Sequence, residues 1–316
     1  MTLLRNPLPL AVAALALAIL SLYGAGAEGG MPGPLWLAVI LAWLCAWGLV
    51  SALAGLGPRA PAGKRALALL VPLIFGATLL FLWEAVARGA RIPPVLLPPP
   101  SMIAARFAGS LDLLWADFVQ TFIRAVLVGY ALGCAAAFAT ALLIDRSPFL
   151  QRGLLPVGNF VAALPIVGIA PIMVMWFGFD WPSKAAVVVV MVFFLMLVNT
   201  VAGLAAADRM QRDLMRTYAA SYRQTLLKLR LPMAAPFIFN GLKISSTLAL
   251  IGAIVAEFFG TPVVGMGFRI STEVGRMNID MVWAEIALAA LAGSCCYGLI
   301  AMIERATTFW HPSQRG

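Results

Sequence analysis

The chain has 316 residues, of which 62% are hydrophobic and only 11% are charged, whereas a soluble domain carries about 25% charged residues. This composition excludes an ordinary water-soluble enzyme or binding domain. The formal net charge of +9 would suit a nucleic-acid partner, but the cations cluster beside apolar runs, as the positive-inside rule describes. We therefore expect membrane topology to explain the charge, and we predict no nucleic-acid binding.

Uncharged runs long enough to cross a bilayer recur along the chain, since a span needs about 20 apolar residues. Two runs lie within residues 1–57. Six more lie at about 66–87, 119–144, 157–179, 184–204, 236–260 and 282–304. These runs predict an all-α membrane protein with about eight transmembrane helices and no separate soluble catalytic domain.

The distribution of Lys and Arg predicts the orientation of these spans. With the N-terminus in the cytoplasm, fourteen of the 22 cations fall on the cytoplasmic side and six fall outside. We therefore expect both termini to be cytoplasmic. The first apolar run ends in Ala25-Gly26-Ala27, which resembles a signal-peptide cleavage site, but the run is longer than a usual signal core, so we expect it to be retained.

The sequence divides into four parts. We expect a two-helix transmembrane appendage over residues 1–57, a core with a cytoplasmic loop (205–235) over 119–304, and a cytoplasmic tail over 305–316. Residues 58–118 would hold a basic linker, the first core helix and, after a proline-rich turn, an interfacial helix on the outer surface that Ser101 caps and that reaches Phe118.

The loop over residues 205–235 is the one long cytoplasmic connection, and it holds six cations. Ser221 and Gln224 form a capping-box pattern that predicts the start of a short helix ending at Pro232. A basic amphipathic loop of this kind either rests on anionic lipid headgroups or docks on a partner protein. The residue pattern alone leaves both alternatives open.

Within this loop, the segment from Asp213 to Ser221, followed by Leu231-Pro232, resembles the E-A-A, Gly, Leu-Pro pattern of permease subunits of binding-protein-dependent ABC importers, in the branch for nitrate, sulfonates and taurine. The resemblance extends over about residues 90–305. Asp213-Leu-Met replaces E-A-A, and Ala219 replaces the usual Gly. That replacement puts the turn in question, because Ala tolerates positive φ poorly.

The resemblance implies a type I importer permease with a core of about six helices and two extra N-terminal helices, in the bacterial inner membrane. The loop would be a coupling element formed by Asp213, Arg216, Tyr218, Ala219, Ala220, Ser221, Gln224, Leu231 and Pro232. Implied partners are a second permease copy in a homodimer, a cytoplasmic ATPase that uses ATP and Mg²⁺, a periplasmic or lipid-anchored binding protein, and membrane lipid. No cofactor would be bound by this chain.

The substrate is the least determined feature, because the resemblance implies that selectivity resides largely in the binding protein. Stretches such as Val198–Leu204 are most similar to permeases for pyrimidine-type thiamine precursors or riboflavin, ahead of those for sulfonates, taurine or nitrate. Polar residues within spans are candidates for the translocation pathway: Asn199, Ser245, Ser246 and Glu257.

Each of these polar residues also has an alternative role in helix packing. Asn199 could hydrogen-bond a neighbouring helix, and the two serines could be small-residue packing positions. Glu257 could pair with Arg269 or Arg276. Glu84 and Glu285 lie near span ends, where we expect water at the interface to solvate them.

Two other functions make different demands on the sequence. An ion-coupled secondary transporter usually carries carboxylates near the midplane and paired repeats, neither of which we find. An intramembrane enzyme needs a nucleophile with a base, or metal ligands, and a lone His311 supplies neither. Gly57–Lys64 departs from a phosphate-binding loop in its spacing, so we predict no catalytic or metal residues and no ATP hydrolysis by this chain.

Overall fold

A computed structural model describes residues 7–25, 32–55, 61–147, 149–150, 152–153, 156–158, 164–260 and 263–310. These ranges hold helices and turns and contain no β-strand, which confirms the predicted all-α class. The principal helices are α1 (Pro7–Ala25), α2 (Gly33–Ala54), α3 (Pro61–Gly89), α4 (Pro100–Gly109), α5 (Leu111–Arg146), α6 (Ile166–Phe177), α7 (Trp181–Ala205), α8 (Arg209–Thr217), α9 (Tyr222–Glu257), α10 (Met266–Gly275) and α11 (Ile279–Thr307).

Six of the described helices are long and apolar enough to cross a membrane: α2, α3, α5, α7, α9 and α11. Helices α1 and α6 supply two shorter apolar segments, so the six and the two together correspond to the eight predicted spans. Helix α6 begins directly after Pro165 and contains Pro171. The first of these prolines therefore interrupts the predicted 157–179 span, whereas the second is accommodated inside the helix.

The predicted extent of the interfacial helix, from Ser101 to Phe118, is wrong, whereas its position at the outer surface stays a prediction. Helix α4 ends at Gly109, and Leu111–Phe118 forms the first turns of α5, which continues through a π-helical stretch, Val119–Val126, to Arg146. The apolar run after Ser110 meets no helix-breaking residue, so the helix continues. Ser101 is not the cap, because α4 begins at Pro100, whose fixed φ suits a first helical turn.

Glu84, which we expected water to solvate, is instead buried in protein. Its carboxylate accepts hydrogen bonds from the backbone N–H of Ser101 at 2.9 Å and from the Ser101 hydroxyl at 2.7 Å. It also pairs with Arg88 one helical turn away. The acid therefore joins α3 to the start of α4, and this bonding replaces the lost hydration.

The chain forms two compact units. The first comprises residues 1–109 and 277–284, and the second comprises residues 110–276 and 285–316. In the first unit, α2 packs on α3 through Val39 and Ala85. Trp83 and Trp283 meet edge to face with ring centroids 4.7 Å apart.

In the second unit, α7 packs between α5 and α9. Glycines bring these helices into close contact. A Cβ built on Gly129 or Gly133 of α5 would meet the backbone of α7, and a Cβ on Gly241 of α9 would meet Asn199 of α7. In a bilayer, lipid is as apolar as the helices, so such small residues promote association by allowing close van der Waals packing.

The close approach at Gly129 yields a stability prediction. A Cβ there would lie 2.6 Å from the Ala185 carbonyl oxygen and 2.7 Å from Val188 Cβ, and the oxygen belongs to backbone that cannot rotate away. We expect Gly129→Ala to lower the free energy of unfolding by about 1–3 kcal/mol, measured by denaturant unfolding in detergent. Gly76→Ala in α3, where nothing lies within 4 Å, is the matched control. Equal stability of the two variants would contradict close packing of α5 on α7.

Candidate functional site

The predicted cytoplasmic loop folds into helix α8, a tight turn and the start of α9. Asp208 and Gln211 form a capping box at the start of α8, where the Asp208 backbone N–H donates to the Gln211 side chain at 3.2 Å. Such a cap satisfies backbone groups that the first helical turn leaves unpaired. The loop is therefore a structured element and not a flexible connection.

The turn after α8 places Ala219 in the left-handed region, with φ of 52°. The Ala220 N–H donates to the Met215 carbonyl at 2.9 Å, which closes the C-terminus of α8. The geometry is the one that glycine adopts most readily, and here an alanine adopts it against a steric cost. The turn therefore forms despite the replacement of the usual Gly.

The capping box at Ser221 is confirmed. The Ser221 N–H donates to the Gln224 side chain at 2.8 Å, and the Gln224 N–H donates to the Ser221 hydroxyl at 3.3 Å. The predicted end of this helix at Pro232 is wrong, since α9 runs on to Glu257. A π-helical stretch at Leu226–Arg230 precedes the proline. This altered hydrogen-bond register lets the helix continue past a residue without an N–H.

An apolar stripe runs along the exposed side of α8. Met210, Leu214 and Tyr218 recur every four residues and are 75%, 56% and 79% exposed. Residues four apart share one face of a helix, and an exposed apolar patch usually marks an interaction site. Asp213 and Arg216 form an exposed ion pair at 3.3 Å beside the stripe, which contributes little stability.

Asp145, at the end of α5, fastens this loop to the helix bundle. Its carboxylate accepts two hydrogen bonds from the Arg230 guanidinium, at 2.7 and 2.5 Å, and one from the Tyr222 hydroxyl at 2.7 Å. Arg230 also donates to the Leu204 carbonyl at 3.0 Å. The Asp145 and Arg230 side chains are largely buried, so the loop, α5, α7 and α9 are joined by charge-assisted bonds that solvent screens weakly.

Asp145 has no role in the sequence analysis. Its pairing with Arg230 spans 85 positions, which no local pattern reveals. The available signal was an acid directly at the end of an apolar run, facing a loop with six cations.

A second polar cluster lies at the opposite end of α5 and α9. Asp117 accepts from the Gly265 N–H at 2.6 Å, and Glu257 accepts from the Gly267 N–H at 2.7 Å. Between them, the Thr121 hydroxyl donates to Glu257 at 2.7 Å and accepts from the Met266 N–H at 2.8 Å. Two buried acids and a threonine therefore satisfy the first N–H groups of α10 and place negative charge at the positive end of its dipole.

Gly265 is required by this arrangement. Its φ is 140°, and a Cβ there would lie 2.7–2.8 Å from the Glu257 carboxylate atoms. Any side chain at this position would strain the backbone. It would also displace the Glu257 carboxylate, which accepts the hydrogen bond from the Gly267 N–H.

The ion pairs expected for Glu257 are not formed. Arg269 pairs with Asp117 at 2.9 Å, and Arg276 pairs with Glu273 at 3.0 Å. Glu285, which we expected the interface to solvate, is instead fully buried, and its carboxyl adjoins that of Asp117. Asp117 has no role in the sequence analysis, because it falls in the segment predicted as interfacial.

At the end of α5 that carries Asp117, polar bonds also join α5 to α7. The Asp180 carboxylate accepts from the Trp181 N–H at 2.7 Å and from the Gln120 amide at 2.8 Å, and these bonds hold the pKa of Asp180 below its usual range. Lys184 is buried and donates to the carbonyl oxygens of Phe179 and Gly260.

The candidate pathway residues do not form one group. Asn199 donates to the Leu195 carbonyl at 2.9 Å and accepts from the Asn240 amide of α9 at 3.4 Å, which is the kind of interhelical bond expected for it. Ser246 donates to the Lys243 carbonyl at 2.8 Å within its own helix. Ser245 is buried, and its hydroxyl has no partner among the described residues. Glu257 lies twelve positions further along α9, or about 18 Å at the helical rise. A pathway role for these four residues stays a prediction.

A family model described as "Binding-protein-dependent transport system inner membrane component" matches residues 129–309, more than half of the chain. The chain belongs to this family. The matched region includes the loop, the Asp145 cluster and most of the Glu257 cluster. The family consists of transport components, so the protein is a multi-pass permease subunit of an ABC importer in the bacterial inner membrane, and it works with an ATPase and a substrate-binding protein.

Individual permeases are similar over most of their length. A probable ABC transporter permease protein of Haemophilus influenzae is 31% identical, covering 72% of this chain and 93% of the relative. The formylaminopyrimidine transport permease protein ThiX of Halalkalibacterium halodurans is 30% identical, covering 79% and 100%. The riboflavin transport system permease protein RibX of Chloroflexus aurantiacus is 31% identical, covering 74% and 88%. These relatives support the importer function over the ion-coupled alternative.

The steric strain at Ala219 in the permease loop can be tested by replacing this residue with glycine. We expect Ala219→Gly to raise the free energy of unfolding by about 0.5–1 kcal/mol, because glycine adopts positive φ without a Cβ clash. Thermal unfolding in detergent would measure the change. Ala220→Gly, at a position without positive φ, is the control and should be neutral or destabilising. A loss of stability in both variants would contradict the left-handed turn.

Glu257 accepts two hydrogen bonds at the N-terminus of α10, so removing one of its acceptor oxygens should lower the stability of the protein. Glu257→Gln keeps the side-chain shape but replaces one carboxylate oxygen with an amide nitrogen, which cannot accept a hydrogen bond. The variant can therefore accept from the Thr121 hydroxyl or from the Gly267 N–H, but not from both. We expect a loss of about 1–3 kcal/mol in unfolding free energy, against a change within about 0.5 kcal/mol for the exposed Asp112→Asn. Chemical denaturation in detergent would compare the two. A Glu257→Gln permease as stable as wild type would rule out a carboxylate that accepts both bonds.

Proposed function

We propose that α8 and the turn after it form the surface through which this permease binds its ATPase. The observation that carries this proposal is the exposed apolar stripe of Met210, Leu214 and Tyr218 on an otherwise basic loop. An apolar stripe exposed to water is stabilised when a partner covers it. The partner ATPase would bind and hydrolyse ATP with Mg²⁺, and this chain would take no part in that chemistry.

The Asp145 cluster supports a role for the loop in transmitting movement. Arg230 and Tyr222 bind Asp145, and Arg230 also binds the end of α7. A displacement of the loop by the closing ATPase would therefore move the ends of α5, α7 and α9 together. Such rigid-body movement of packed helices is the usual way in which an alternating-access transporter exposes its site to one side and then the other.

The proposed assembly contains two copies of this permease, with both termini and the loop in the cytoplasm. The fourteen cations on that side support this orientation. The binding protein, periplasmic or lipid-anchored, would deliver solute at the end that carries Asp117 and Glu257. Residues 1–57 would form the appendage, 58–118 the linker region with the first core helix, 119–304 the core with its loop at 205–235, and 305–316 the tail.

The proposed substrate is a small heteroaromatic nutrient, a pyrimidine-type thiamine precursor or riboflavin. Two relatives named for such substrates, ThiX and RibX, support this class. Relatives named for sulfonates, taurine and nitrate are 24–27% identical. Asn199, Ser245, Ser246 and Glu257 remain the proposed pathway residues, and competition for uptake by the complete complex in liposomes would separate the substrate classes.

Copurification tests the docking surface. The permease is expressed with its ATPase, and the amount of ATPase bound to the purified permease is measured for wild type, Leu214→Glu and Leu111→Glu. Leu111 is a matched control, because it is also a leucine with 56% exposure, but it lies at the opposite end of the bundle. We expect Leu214→Glu to weaken binding at least about tenfold, which corresponds to roughly 1.4 kcal/mol, and Leu111→Glu to bind normally.

Thermal unfolding of each variant would establish that it is folded. If a folded Leu214→Glu permease retained as much ATPase as wild type, α8 would not be the docking surface. If both variants lost the ATPase, the effect would come from the added charge and not from the stripe, and the proposal would also be wrong.

A further inference from the structure

A cavity of about 460 Å³ lies behind the loop in the second unit. Helix α8 and the start of α9 form one side of it, and the ends of α5 and α7 form the other. Alanine, valine, isoleucine and leucine side chains make the wall on α5 and α7. Polar groups on the loop side and at the end of α5 face the same space: Arg212, Arg216, Tyr222, Thr225, Arg230 and Asp145.

The lining carries surplus positive charge. Three guanidinium groups share it with the single carboxylate of Asp145, which Arg230 already neutralises through two hydrogen bonds. Arg216 bonds only to Asp213, an exposed residue that does not line the cavity. Arg212 is half-buried, and its guanidinium has no hydrogen bond or ion pair with any residue in the described ranges. An anion is therefore the complementary ligand.

Helix α8 has two separate functional faces. Successive residues are rotated by about 100° around a helix, so Arg212 lies roughly 160° around the axis from both Leu214 and Met210. Arg212 and Arg216 line the cavity, with the Arg216 side chain also 82% exposed to solvent, and the apolar stripe faces away from the cavity. A partner covering the stripe would leave the cavity unoccupied.

We propose that this cavity binds the phosphate of an anionic phospholipid, with Arg212 and Arg216 as its principal ligands and the Thr225 hydroxyl as an additional donor. The cavity lies where two membrane-crossing helices end, at Arg146 and Ala205, which is the depth of the headgroups. Its apolar wall suits the glycerol and upper acyl chains. Basic pockets between transmembrane helices on the cytoplasmic side bind anionic headgroups in this way.

A bound phosphate would bridge Arg212 and Arg216 of α8 to Thr225 of α9, whereas the Asp145 cluster joins α9 to α5 and α7. The loop would then be stiffer in a membrane rich in anionic lipid. Lipid binding itself needs no ATPase, so this inference and the docking proposal can fail independently.

Lipid binding to the purified full-length permease tests the proposal. Native mass spectrometry would compare retention of phosphatidylglycerol and phosphatidylcholine, supplied together at equal concentration in detergent. We expect a preference for phosphatidylglycerol of about tenfold in wild type, lost in Arg212→Gln and kept in Arg223→Gln. Arg223 is an exposed loop arginine that does not line the cavity, so it controls for the loss of one positive charge.

Two further measurements make the result unambiguous. Arg212→Lys keeps the charge but not the forked geometry, and an intermediate preference would support a guanidinium–phosphate contact. Displacement of the lipid by millimolar inorganic phosphate would assign the site to a free phosphate compound and overturn the lipid proposal. Equal lipid retention by folded Arg212→Gln and Arg223→Gln would show that the cavity does not select the headgroup.

Discussion

Helices α5 and α9 are antiparallel, and buried polar bonds join them at both ends. Asp145 of α5 binds Arg230 of α9 at one end, and Thr121 of α5 binds Glu257 of α9 at the other. Thr121 and Asp145 lie 24 positions apart on α5, and Arg230 and Glu257 lie 27 apart on α9, so the two spacings are similar. Because these side chains are largely buried, their polar groups must satisfy one another, and that requirement fixes the register of the two helices.

The rest of the second unit is organised around this pair. Helix α7 fits between α5 and α9 because glycines at 129, 133, 203 and 241 remove side chains from the contacts. The N-terminus of α10 depends on Asp117 and Glu257 for its hydrogen bonds, and the loop depends on Asp145. An importer permease needs an ATPase-facing end and a solute-receiving end that respond to each other. Two helices clamped at both ends provide a stiff connection between them.

The helical spans could be predicted from sequence because hydrophobicity over 20 residues is a local property. The Ser221 capping box was equally local, and it was correct. Predictions that depended on distant residues were wrong: Glu84 and Glu285 were assigned to water because the groups that lie beside them, among them Ser101 and Asp117, are not apparent in the linear pattern. The extension of α9 past Pro232 was missed because a π-helical stretch has no recognisable sequence signal.

The two faces of α8 have a consequence for how such permeases diverge. Met210, Leu214 and Tyr218 face a protein partner in our proposal, whereas Arg212 and Arg216 face a lipid. Among related chains, substitutions on the first face would be correlated with changes in the cognate ATPase gene. Substitutions on the second face would instead follow the phospholipid composition of the host. The two faces of a nine-residue helix (Arg209–Thr217) would thus diverge independently of each other.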